Sequence, residues 1–289
     1  MLLFSLLIAI TLKQLWKSSN PLQYDAWLIT LDTQLSHWLH KIDINDTTIN
    51  FSIVISLVSI ATFAVSSTLH QYNHFLYIVF SCAVLLYSFG RGELTRHITD
   101  FIVAEAKGDW HQACLAAQAI QTPVSSIESN HWAKLNKSFL SQANYQGFER
   151  FFAVVFWFAL FGPVGAICYR LCHLWLQQVV PRSAHTNTKT HREFTRLIAI
   201  IEWPAVRVLG LTYAVTGNFT SCMHAWKQSN TKNISNQDVL LQSLEGALAV
   251  DHDIPQTQEI TRRELEALQQ LQTRTLWFWV GCIAIVFIL

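Results

Sequence analysis

Charge is scarce in the apolar stretches of this chain, and where it occurs it comes in types that recognise ligands. Arg170 lies inside the run Phe151–Leu176, FFAVVFWFALFGPVGAICYRLCHLWL, and Glu202, Pro204 and Arg207 fall within six positions of a second run, Leu197–Val215. A guanidinium meets a carboxylate or phosphate as a bidentate fork. Ionisable groups at membrane depth are tolerated only against protein or a wet cavity, which makes them candidates for a polar site beside the structural alternative. Arg170, Glu202 and Arg207 are therefore the candidate ligand- or partner-binding residues. Glu202 and Arg207 stand about 140° apart on an ideal helix, and a bend at Pro204 would bring them closer. Glu149, directly before the first run, joins them. A carboxylate there also stabilises a helix N-terminus by about 0.3–1 kcal/mol without any ligand. The bland alternative for the arginines is snorkelling, with long stems that carry charge to the headgroups.

Other chemistry is poorly supplied. The sequence has no GxxxxGK[ST] loop, no GxGxxG fingerprint and no HExxH helix. Cys168 and Cys172 share a helix face and His173 follows, but zinc would need further ligands, so these thiols read as small apolar residues. His70 and His74 flank a turn with no cysteine or carboxylate beside them, and Asp251-His252-Asp253 beside Pro255 reads as an interhelical turn. No catalytic residue, metal or cofactor is assigned.

The elements that must position these residues are membrane helices. Apolar residues make up 51% of the chain and charged ones 13%, against roughly 25% charged in an average soluble domain. A net charge of +1 offers no basic face for nucleic acid. The membrane-grade segments are 2–16, 51–69, 75–89, 151–176, 197–216 and 276–289. The first lacks a basic region and a small-residue cleavage site, and reads as a retained segment. Gly162, Pro163 and Gly165 interrupt the central run, and Pro204 the next, so structural breaks are expected at these four positions. The fold class is all-α integral membrane protein. It has four to six membrane segments, some broken or re-entrant, with polar helical segments on the cytoplasmic side.

The order divides into N-terminal membrane segments (1–90), a helical polar segment (91–150), central broken membrane segments (151–216), an amphipathic helical segment (217–275) and a C-terminal membrane segment (276–289). Within the polar part, Leu94–Ala106 and Trp110–Ile120 predict a helical hairpin closed by Gly108-Asp109. The stretch 121–148 reads as looser, and 181–192 as a linker. Residues 235–275 form an amphipathic pair whose second helix (Ile260, Leu265, Leu268, Leu271) runs into the last apolar segment. No segment alternates as a strand does.

Two blocks carry a family resemblance. Phe156-Trp157-Phe158-Ala159-Leu160-Phe161-Gly162-Pro163-Val164-Gly165-Ala166, closing with Tyr169-Arg170, resembles the central signature shared by AmpE proteins and adenosylcobinamide-phosphate synthases. Ile200-Ile201-Glu202-Trp203-Pro204-Ala205-Val206-Arg207-Val208-Leu209-Gly210 resembles their segment of aromatic, proline and arginine, close to DWVPVRLAG in AmpE proteins, with the proline shifted. The synthases' early WLPHPVR-type segment is absent: Asn20-Pro21-Leu22-Gln23-Tyr24-Asp25-Ala26-Trp27 stands there. Of their acidic and amide cluster, Asn144–Glu149 keeps one acid, Glu149. The chain thus resembles the AmpE branch. That resemblance implies a non-catalytic, multi-pass accessory or sensor of the bacterial inner membrane, modulating β-lactamase induction and cell-wall recycling. The implied partners are the lipid bilayer and either a small cell-wall-derived ligand or another membrane protein. The alternative is a synthase-like membrane enzyme condensing a carboxylate with a phosphorylated amino alcohol.

Charge asymmetry makes one topological prediction. His70–His74 contains no Lys or Arg, whereas 91–148 is rich in both, so the turn faces away from the cytoplasm and 91–148 faces it. In an otherwise cysteine-free chain, a cysteine at position 72 is expected to react with an impermeant thiol reagent from outside, and one at position 130 is not. The reverse pattern would invert the orientation.

Overall fold

A computed structural model describes residues 2–15, 27–28, 30–31, 33–34, 47–89, 94–124, 131–179, 188–231, 234–249 and 258–288. In chain order its main elements are α1 (Leu2–Leu15), α2 (Thr47–Tyr72), α3 (His74–Ser88), α4 (Leu94–Ala106), α5 (Trp110–Ala119), α6 (Trp132–Gly147), α7 (Ala153–Leu174), α8 (Thr188–Thr216), α9 (Phe219–Thr231), α10 (Asn236–Leu248) and α11 (Gln258–Ile288). π-helical turns, Phe148–Phe152 and Trp175–Val179, precede and follow α7. No strand occurs among the described residues. Among them, Thr48–Tyr72, Trp132–Gln177 and Thr190–Thr216 are long and apolar enough to cross a membrane, and Leu2–Lys13 and His74–Ser88 are shorter apolar helices. The fold is that of an all-α membrane protein. The chain forms two compact units, Met1–Gly90 with Ala153–Glu202, and Arg91–Phe152 with Trp203–Leu289.

In the first unit α2 and α3 are separated by Asn73 alone, a tighter turn than the five residues read from the sequence. Asn73 makes this possible by capping α3: its side-chain oxygen accepts from the Phe75 amide at 2.9 Å. The core gathers Phe51 and Val54 of α2, Leu171 and Leu174 of α7, Trp175, and Phe194 and Ile198 of α8. Phe51 sits edge-on to Trp175 and to Phe194, with ring centroids 5.5 and 4.9 Å apart. The outward strip of α2 is apolar (Leu57, Ile60, Phe63), whereas Thr62 of the same helix is buried. Large apolar side chains outside and a hydroxyl inside suit a lipid surrounding, in which polar groups must be satisfied within the protein.

α7 is broken at Gly162, whose φ of 63° and ψ of −149° lie in a region essentially reserved for glycine. Pro163 disfavours α-helical torsions at the residue before it and lacks an amide proton, so the break falls where both effects coincide. A Cβ on Gly162 would meet nothing closer than Leu2 Cδ2 at 3.7 Å, so the requirement there is torsional. At Gly165 it is spatial, because a Cβ would fall on the Trp157 carbonyl. The break expected at Pro204 does not occur: α8 runs through it as one helix. A proline removes a single hydrogen bond and keeps a helical φ, and no glycine adjoins this one to take up a left-handed turn.

In the second unit the predicted hairpin is present. Gly108 takes φ 67° after α4, and Asp109 caps α5, its Oδ1 accepting from the Gln112 amide at 3.1 Å. The looseness expected over 121–148 is corrected by α6. Residues 125–130 lie outside the described residues, but Trp132–Gly147 is helical and buries Leu135, Asn136, Phe139, Leu140, Ala143 and Asn144. The helical period is present in this stretch; six of its nine buried positions are amides and small residues, which hide it from a hydrophobicity pattern. Phe139 stacks on Phe101 of α4 with ring centroids 3.8 Å apart. Asn144 binds three elements at once: it donates to the Leu240 carbonyl at 3.1 Å, and its Oδ1 accepts from Tyr213 at 2.8 Å and from Gln272 at 3.4 Å. Leu265, Leu268 and Leu271 of α11 are buried. The turn at 251–255 and part of the linker at 181–192 lie outside the described residues; from Thr188 the linker is already α8.

Glu105 of α4 is buried, with Asn136 of α6 donating to its Oε1 at 2.6 Å and to Thr261 Oγ1 of α11 at 2.7 Å. Burial pushes its carboxyl above the usual range. Hydrogen bonds from Asn136 and Thr261 pull it back, and the charge of Glu264 adds to the rise. A carboxyl with a raised folded pKa stabilises the fold fully at low pH and less as pH climbs through that pKa.

Two predictions follow from these units. Gly162→Ala is expected to destabilise the detergent-solubilised protein by about 1–3 kcal/mol, read as a lower thermal midpoint; an unchanged midpoint would mean that the turn carries no torsional demand. Glu105→Gln, which keeps the acceptor for Asn136, is expected to raise the midpoint at neutral pH and to flatten its fall above the ordinary carboxylate range. An unaltered pH profile would remove Glu105 from the account.

Candidate functional site

The site grows from the half of α7 beyond the break. Tyr169 and His173 are four residues apart and so share a face, with ring centroids 4.9 Å apart and tilted by 52°. That face meets Glu202 of α8. Tyr169 Oη donates to Glu202 Oε1 at 3.1 Å, and His173 Nε2 lies 2.9 Å from the same oxygen. Glu202 is 1% exposed, and Tyr169 and His173 are buried with it. An ionised carboxylate only accepts, so wherever Glu202 is ionised His173 carries a proton on Nε2. Carboxylate and imidazole together form a pair that holds a proton between helices, and the phenol fixes the carboxylate's orientation. Isolated charge in such a setting costs several kcal/mol; paired and hydrogen-bonded, it is tolerated.

The sequence candidates distribute as follows. Glu202 is at the centre of this cluster. Arg170, the residue after Tyr169, is buried in the same unit and is itself engaged. Arg207 belongs to the second unit, where its guanidinium carbon lies 5.6 Å from the centroid of the Trp203 ring. α8 is helical through Pro204, and Glu202 is the last residue of the first unit while Arg207 belongs to the second. Glu149 is also in the second unit, buried in the π-turn Phe148–Phe152 and engaged there.

Sequence reading missed His173 and Tyr169 as site residues. His173 was read with Cys168 and Cys172, yet its partner is Glu202, while Cys168 Sγ lies 2.9 Å from Ser59 Oγ of α2. Among the described residues no group of three or more His, Cys, Asp or Glu side chains could hold a metal. The available signal was the spacing of Tyr169 and His173 on an apolar helix, polar residues that needed a partner.

Removing the carboxylate is expected to cost more than removing one donor. Tyr169→Phe leaves Glu202 its histidine and should lower stability by about 0.5–1.5 kcal/mol. Glu202→Leu strands both donors and should lower it by about 3–5 kcal/mol. Equal losses in thermal unfolding of the two variants would show that the three residues do not act as a unit.

The comparisons with known proteins bear on the whole of this arrangement. No curated protein and no solved structure matches the chain. The family described as "Regulatory signalling modulator protein AmpE" matches residues 1–258, across the break in α7, the Tyr169–His173–Glu202 cluster and Arg207. The chain belongs to the AmpE family.

Proposed function

We propose that this chain is a multi-pass accessory protein of the bacterial inner membrane, without catalytic activity of its own, that modulates β-lactamase induction and cell-wall recycling. The observation that carries the reading is the buried Tyr169–His173–Glu202 cluster within a chain that matches a regulatory family over 1–258. Such a cluster is a two-state element. A ligand or partner helix that engages Glu202 must displace Tyr169 or His173 from its carboxylate, and so shifts α7 against α8 within the first unit. A modulator needs a differential contact of this kind; a passive anchor does not. The occupant is either a small cell-wall-derived molecule or another membrane protein, with Arg170 and Glu202 as recognition groups in the first unit; Glu149 and Arg207 are polar positions of the second.

The test uses a host that carries the inducible enzyme and depends on this gene for its normal response. Glu202→Gln and Arg170→Ala, each produced at wild-type level in the membrane, are expected to change induced β-lactamase activity several-fold. Cobalamin-dependent growth should be untouched. Wild-type induction with both variants would overturn the regulatory reading. Restoration of cobinamide amidation by the wild-type gene in a synthase-deficient host would overturn the non-catalytic one.

A further inference from the structure

Arg207 lies in one of the stretches long and apolar enough to cross a membrane, Thr190–Thr216, and among the described residues no protein group meets its edge. Its Nε and Nη1 are closed off from solvent without a hydrogen-bond partner, and the ion pairs of the second unit, Arg96–Asp100, Lys137–Glu245 and Arg262–Glu266, do not involve it. A guanidinium cannot shed its proton to escape this cost, as a lysine or histidine can. Among the described residues the site lacks an acceptor.

Its surroundings narrow the choice. Around α8, Arg207 stands at the border between a buried strip, Val206, Leu209 and Tyr213, and an exposed apolar strip, Trp203, Val208, Leu211 and Val215. Trp203, one turn before, covers the face of the guanidinium. One turn after, Gly210 has no side chain, and a Cβ there would meet the Trp226 indole at 3.0 Å. The cation is therefore covered on one face by the Trp203 indole and lies beside an exposed apolar strip of the same helix. We propose that Arg207 and Trp203 bind an oxyanion, phosphate or carboxylate, carried by a molecule whose apolar part lies along Trp203, Leu211 and Val215. A planar guanidinium matches either oxyanion, and the apolar strip selects an amphiphile over a free ion. This goes beyond the proposed function: it is a separate binding position within the second unit and does not depend on what engages Glu202.

The experiment is native mass spectrometry of the full chain in a non-ionic detergent, titrated in separate arms with dodecyl phosphate, phosphatidylglycerol, dodecanol and inorganic phosphate. Wild type is expected to retain one dodecyl phosphate or phosphatidylglycerol per chain, and neither dodecanol nor inorganic phosphate. Preference for phosphatidylglycerol assigns the position to bilayer lipid; preference for the alkyl phosphate assigns it to a smaller ligand. Arg207→Ala should weaken binding at least about tenfold. Arg207→Lys should weaken it less than Ala does, since charge remains while the fork is lost. Trp203→Leu, which keeps the charge and the apolar strip, should weaken binding a few-fold and keeps the test available should Arg207→Ala not fold. Retention unchanged in Arg207→Ala and Trp203→Leu, or equal retention of dodecanol, would overturn the site. Inorganic phosphate held as tightly as the alkyl phosphate would overturn the amphiphile. Binding is read here without induction. A failed titration beside altered induction by Glu202→Gln therefore sinks this inference alone, and specific binding beside unaltered induction sinks the regulatory reading alone.

Discussion

The helix pairing in this structure depends on one constraint: a buried polar group carried on an apolar helix is costly unless a partner on another helix meets it. Where water does not reach, an unmet hydrogen bond costs a few kcal/mol, a large share of a domain's net stability. Glu202 is the clearest case. It is tolerable inside α8 only because Tyr169 and His173 arrive on one face of α7 at the same oxygen. The second unit meets the same constraint with neutral groups. Asn144 gathers Tyr213, Gln272 and the Leu240 carbonyl, Trp279 donates to Thr212 at 3.2 Å, and Thr216 meets Thr275 at 3.0 Å. These contacts determine which helices pair and in what register, a task that dispersion between apolar faces performs with little discrimination.

The glycines supply the geometry that the polar contacts exploit. Gly162 turns the chain inside α7, and Gly165 lets it close against its own earlier carbonyl. At Gly147 a Cβ would collide with the Gln272 side chain, so the absence of a side chain on α6 is what admits that amide to Asn144. Gly246 plays the same part toward Cys222, whose thiol reaches the Ser243 carbonyl at 3.2 Å. Small residues and hydrogen-bonding side chains thus work as pairs, the one clearing space and the other filling it with a directed contact.

Much of this was legible in the sequence where the cause is local. Gly108-Asp109 carries its own turn chemistry, the apolar period of α11 is written in Leu265, Leu268 and Leu271, and Gly162-Pro163 combines two helix-breaking effects at one peptide. The membrane class follows from composition, and the family from two short blocks. What could not be read depends on residues far apart in the chain. Nothing near His173 names Glu202, and nothing near Asn144 names Tyr213. α6 was lost for the same reason, since a helix whose buried face is made of Asn, Gln, Ala and Gly looks polar until its partners are known.

The break in α7 also bears on how the chain enters a membrane during synthesis. α7 has 22 residues, a length that the insertion machinery would read as one span. Gly162 divides it into two pieces, each well short of the roughly 20 residues that cross a hydrocarbon core. α2, with 26 unbroken residues, is self-sufficient, and it is made first. α7 packs against α1, α2 and α3, and Leu2 of α1 and Tyr77 of α3 stand nearest its turn at Gly162. Synthesis order therefore works in the protein's favour: the helix interrupted by a turn is made after the three that pack against it.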